Sequence, residues 1–188
     1  PDIAICDPEV TLSMPAHITA ETGMDALTHA LEALVSNRAN YLSDVLAKKA
    51  AQDIFETLPQ ACEHGEDMQA RETMIDASMT AGLAFTNVSL GIVHSMAHTV
   101  GGYFHVSHGL ADAILLPYVM EFNRAEPYAA KAYDGFAAQI GIMLRKEHAA
   151  ELLKRAPEYD YLIAPEAKAI PLLYEMARQS GADKYFLA

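Results

Sequence analysis

The chain has 188 residues, 52% hydrophobic and 20% charged, with 13 basic against 25 acidic residues and a net charge of −12. That is the composition of a globular chain long enough to bury a core, and it excludes a disordered one. The acidic balance disfavours nucleic acid or an anionic membrane surface as a partner, and no run of about 18 apolar residues could cross a bilayer.

Residues 1–11, PDIAICDPEVT, alternate apolar and small side chains before Asp7-Pro8 and read as a short strand or extended lead-in. They lack the charged region and long apolar core of a signal peptide. Cys6 and Cys62 lie far apart without CxxC spacing; two such thiols make no disulfide framework, which points to a reducing, cytoplasmic setting. Both are read as packing or surface residues.

Residues 20–35 have helical character, with Met24, Leu27, Leu31, Leu34 and Val35 on more than one face and Thr19 as the expected N-cap. Ser43 is the expected cap of a helix through Leu58, stopped by Pro59. Asp67 caps a long helix rich in small residues, including Ala70, Ala77 and Ala81. Another helix starts at Ser89 or Gly91 and is expected to end at Gly101-Gly102, since two glycines suit a helix C-terminus better than its interior. The pattern turns helical again from His108, with Pro117 as a kink, and a weaker Ala-rich helix covers 127–143. A last helix is expected over 166–179. Strand signals are so sparse that the expected class is all-α.

Four of the eight histidines, His94, His98, His105 and His108, fall within fifteen positions. Asp25 and His29, spaced i and i+4, share one face of an earlier helix, and His94 and His98 repeat that spacing. One helix can supply two metal ligands this way, although an isolated pair is more often a hydrogen-bonded one. Their placement on apolar helices, where an unpaired carboxylate is costly, favours a site. One Asp with three His is a mixed N/O set that suits Fe(II) or Zn(II). Spacing alone leaves open which histidines ligate. The rival reading is a helical structural or interaction domain in which the histidines only pack.

TGMDALTHALEA at 22–33, and G-x-x-H-x-x-A-H-x-x-G-G at 91–102 followed by His108-Gly109, resemble the two signature stretches of the iron-containing (group III) alcohol dehydrogenases. PDIAICDPEVT, DASMTAGLAFTNVSLG and ADAILLPYVMEFN are also similar, so the resemblance covers roughly residues 1–125. It implies that 1–188 is an all-α, multi-helix C-terminal metal-binding domain, like those of iron-dependent alcohol dehydrogenases and dehydroquinate synthase. Residues 1–11 would lead in from a dinucleotide-binding domain before Pro1. Carried over by position, the metal ligands are Asp25, His29, His94 and His108. His98 would face the nicotinamide as a proton-handling or orienting residue, and Phe85 would line the pocket.

The resemblance further implies Fe(II), with Zn(II) as the alternative, and NAD or NADP bound mainly by the other domain. Alcohols and aldehydes would be the substrates, and a homodimer is a candidate assembly. Glycerol dehydrogenase and dehydroquinate synthase relatives share this plan and are the nearest enzymatic alternatives. No GxGxxG phosphate loop occurs here, so this polypeptide alone is expected to show no dehydrogenase activity. Two positions depart from the family pattern: Ser107 stands where Pro is common and Asp112 where Asn is common. Neither is expected to touch the proposed ligands. His17, His64 and His148 are read as surface residues, and His105 has no assigned role.

Overall fold

The computed structural model describes residues 3–140, and its regular elements are a short 3-10 turn, Pro8–Thr11, followed by six helices. These are α1 (Ala16–Val35), α2 (Tyr41–Glu63), α3 (Met68–Val88), α4 (Ile92–Phe104), α5 (His108–Asn123) and α6 (Pro127–Gln139). The all-α expectation holds among the described residues. The lead-in differs from its reading: Asp7 caps the 3-10 turn by accepting from Glu9 N, and Ile3 and Ile5 are exposed. The helix expected at 166–179 lies outside the described residues.

Helix α1 is the hub, packing against α2, α3, α5 and α6, while α2 packs on α3 and α4 on α5. Alanines let the backbones come close: Ala30, Ala33, Ala47, Ala50, Ala51, Ala81 and Ala84 are fully buried. Leu34, Ile54, Val88, Val93 and Met96 fill the remaining space, each large side chain contributing about 1.5–3 kcal/mol by leaving water.

Helix ends account for most differences from the sequence reading. Thr19 is not the N-cap of α1 but a buried residue in its first turn, where its Oγ1 accepts from the Arg71 guanidinium at 2.8 Å. For α2, Asn40 is the N-cap and Ser43 its reciprocal partner in a capping box, which satisfies two terminal groups at once. Pro59 does not stop α2. The carbonyl it leaves without a helical donor belongs to Phe55, an exposed residue, so water can serve it. Asp67 caps α3 as expected, accepting from Gln69 N and Ala70 N.

Gly101-Gly102 does not end α4; the helix runs to Phe104 and closes at His105, which adopts the left-handed conformation (φ 55°) with its N–H on Gly101 O. A glycine is useful at 101 for another reason. A Cβ there would stand 3.4 Å from Val106 O, where the chain folds back toward α5. Helix α5 then begins at His108, and Gly109 lets it lie directly on α1: a Cβ at 109 would fall 2.0 Å from Glu21 O. Ser107, before it, donates through Oγ to Glu21 Oε2. Pro117 sits inside α5.

Candidate metal centre

Side chains from α1, α4 and α5 converge where these helices meet. Asp25 Oδ1 is the common point, 3.3 Å from His94 Nε2, 3.6 Å from His108 Nε2 and 3.6 Å from His29 Nδ1. The structure therefore brings together all four residues that the resemblance names as ligands. His94 is fully buried, whereas Asp25, His29 and His108 are half-buried, which leaves the group reachable from solvent.

A second carboxylate belongs to the same group. Asp112, one turn past His108 on α5, places Oδ2 3.3 Å from His108 Nε2 and 3.9 Å from His94 Nε2. The expectation that Asp112 would not touch the proposed ligands is thus wrong: the helical i, i+4 spacing stacks it under His108. Donor atoms of Asp25, His94, His108 and Asp112 all lie within 4.8 Å of one another. Donors bound at about 2.1 Å to one tetrahedral ion would stand about 3.4 Å apart, close to the separations found here. His29 flanks the group, its ring stacked between Phe85 (centroids 4.5 Å) and His94 (4.3 Å).

Glu32 braces the centre from behind and was missed by the sequence reading. Its carboxylate, 3% exposed, accepts from Gly91 N (2.8 Å), Val93 N (2.7 Å) and His94 Nδ1 (2.7 Å). Binding Nδ1–H this way fixes the ring and turns Nε2 toward Asp25, as carboxylates behind metal-binding histidines do. A signal was available: Asp25, His29 and Glu32 fall at i, i+4 and i+7 on an otherwise apolar helix. Gly91 is part of the same device, because a Cβ there would lie 2.7 Å from Glu32 Oε1.

The electrostatics follow from this geometry. Burial pulls His94 down, but its hydrogen bonds to Asp25 and Glu32 outweigh that and push it up to about 9. Burial, together with the neighbouring His94, drives His29 down to about 4. Burial pushes Asp112 up to about 7, and the Asp25 carboxylate adds to the rise. Burial raises Asp25 as well, yet the His94 hydrogen bond and the surrounding imidazoles hold it below its usual value.

His98 is exposed, one turn past His94, with its ring stacked on His108 (centroids 4.9 Å) and edge-on to His94 (6.0 Å). Burial of part of its ring, with His108 next, lowers its pKa. His105, His17 and His64 are exposed and outside the group, while Cys6 and Cys62 are free and half-buried. No described helix is long and apolar enough to cross a membrane.

Residues 19–159 match the family model described as Fe-containing alcohol dehydrogenase family, C-terminal. A 1-propanol dehydrogenase of Citrobacter freundii is 53% identical over 137 residues, 73% of this chain and 37% of the relative. A 1,3-propanediol dehydrogenase of Klebsiella pneumoniae is 49% identical over 123 residues, 65% of this chain and 32% of the relative. Among solved structures, the iron-containing alcohol dehydrogenase of Thermococcus thioreducens superposes with a TM-score of 0.73 at 31% identity, covering 98% of this chain and 43% of that one. The chain spans less than two fifths of the length of these curated relatives.

Proposed function

This chain belongs to the iron-containing alcohol dehydrogenase family, in the region of its C-terminal domain, and we propose that it supplies the metal-binding side of an NAD(P)-dependent alcohol dehydrogenase. The observation that carries the proposal is the convergence of Asp25, His94 and His108 from three helices at 3.3–3.6 Å, with Glu32 locking the buried histidine. The fit to a divalent ion is chemical as well as geometric. Neutral imidazoles and carboxylate oxygens suit Fe(II) or Zn(II), and the buried oxygens of Asp112 accept no hydrogen bond from a donor among the described residues.

In this reading Asp25, His29, His94 and His108 hold the metal. When bound, the ion supplies Lewis acidity toward an alcohol or carbonyl oxygen, and a nicotinamide supplies the hydride acceptor or donor. The protein's own side chains do the rest. Glu32 keeps the proton on His94 Nδ1 and so keeps Nε2 facing the site. His98, exposed beside His108, handles a proton or orients the nicotinamide, and Phe85 lines the pocket behind His29. The half-buried edge at Asp25 and His108 admits the substrate. The relatives named for 1-propanol and 1,3-propanediol favour a short primary alcohol. NAD or NADP would be held mainly by residues outside this chain, and a cytoplasmic homodimer is the assembly we favour.

Elemental analysis of the purified protein tests the proposal. About one equivalent of iron or zinc is expected in wild type and its loss in the His94→Ala/His108→Ala double variant. Wild-type protein that takes up no metal after incubation with Fe(II) or Zn(II) would return the histidines to core packing and favour a helical structural domain.

A further inference from the structure

Asp112 is the group the family pattern leaves unexplained. It is 0% exposed, and neither of its carboxylate oxygens accepts a hydrogen bond from an N–H or O–H donor among the described residues. A buried carboxylate without a donor is costly, and folded proteins retain very few. Two histidine nitrogens that the proposed ligand set already uses stand 3.3 and 3.9 Å from its Oδ2, and the Asp25 carboxylate is in the same group. Two groups this close that do not hydrogen-bond to each other are spaced as partners of a third. The neighbouring elements bring further ionisable groups but no lysine or arginine among the described residues: α1 presents Asp25 and Glu32, α4 presents His94, and α5 presents His108.

We infer that Asp112 is an additional oxygen ligand, which makes the metal site of this chain a two-carboxylate one. This rests on the metal-centre reading above and extends it. With neutral imidazoles, a divalent ion between Asp25 and Asp112 carries a local charge of about zero, where one carboxylate would leave about +1. The second hard oxygen donor shifts preference toward Fe(II) and Mn(II) and away from Zn(II). It also raises the coordination number the protein can offer, since His29 stands beside the four convergent donors.

The test is titration of the metal-stripped protein with Co(II), following visible absorption, for wild type, Asp112→Asn and Asp25→Asn. Asparagine matches aspartate in size, so the variant changes charge and leaves shape intact. The expected result is one Co(II) bound by wild type, a loss of tenfold or more in affinity for Asp112→Asn, and a stronger d–d absorption as coordination number falls. The melting temperature of metal-free Asp112→Asn should be no lower than that of wild type, because no hydrogen bond is lost. An unchanged affinity and spectrum in Asp112→Asn, with binding weakened in Asp25→Asn, would overturn the role of Asp112 while leaving the metal centre standing. Wild type that binds no Co(II) would overturn both. A metal-free Asp112→Asn protein that melts well below wild type would make the carboxylate a structural group instead.

Discussion

Arg71 and Asp112 are both buried ionisable side chains, and their surroundings treat them in opposite ways. Arg71, on α3, is 2% exposed and has no carboxylate partner among the described residues, yet each of its nitrogens is used. Nε donates to Gly65 O at 2.8 Å, Nη1 to Thr19 Oγ1 at 2.8 Å and Nη2 to Met14 O at 3.1 Å. The guanidinium thus ties the start of α1 and the α2–α3 turn to α3 through neutral acceptors. Asp112 has the same depth and accepts no hydrogen bond from a donor among the described residues, and it faces a second carboxylate, Asp25. A buried charge whose hydrogen bonds are complete belongs to the architecture, whereas one left incomplete among the proposed metal ligands points to something the chain binds.

Removing the satisfied charge separates the two residues most strongly. Arg71→Ala deletes three charge-assisted bonds, and an expected loss of about 3 kcal/mol would appear as a lower urea midpoint. Metal uptake per folded molecule should be unchanged. A midpoint within error of wild type would show that Arg71 is not the tie described here.

Glu32 sits between the two extremes, a buried carboxylate completed by three donors but turned to the service of the site. Glu32→Ala leaves the amides of Gly91 and Val93 without an acceptor and frees the His94 ring, so a loss of about 2 kcal/mol is expected. Metal affinity should fall by about 10–100-fold, as it does when such braces are removed. Lost stability without lost affinity would place Glu32 with Arg71 as a purely structural group.

The smallest effect is expected at Tyr133, a buried phenol on α6 whose hydroxyl accepts from Asn123 Nδ2 at 3.3 Å. Burial pushes it up to about 12. Because the folded value exceeds the unfolded value of about 10, the unfolded chain ionises first. The contribution of Tyr133 is therefore complete below pH ~10 and is lost as pH rises toward 12. Tyr133→Phe should cost about 1 kcal/mol at neutral pH and flatten this part of the alkaline loss in denaturation curves. Equal slopes for both proteins would remove the buried phenol from the account.

Much of this molecule was legible in the sequence. Hydrophobic periodicity placed all six described helices, because burying one face at 3.6-residue spacing leaves its mark whatever the partner is. The convergence of Asp25, His29, His94 and His108 was legible because the resemblance named them together, position by position, and their histidines are chemically conspicuous. Helix ends were less so: Thr19, Ser43, Pro59 and the Gly101-Gly102 pair each act through contacts distant in sequence or through exposure of a single carbonyl. Glu32 and Asp112 were misjudged for the same reason. A glutamate or aspartate in a helix is ordinary in sequence, and only the packing of α1 against α4 and α5 shows one completed by three donors and the other left with none. Local pattern determined which segments are helical and which residues are chemically capable. The tertiary structure alone decided which of those residues share a point in space, because that depends on how close alanine- and glycine-lined helices can approach.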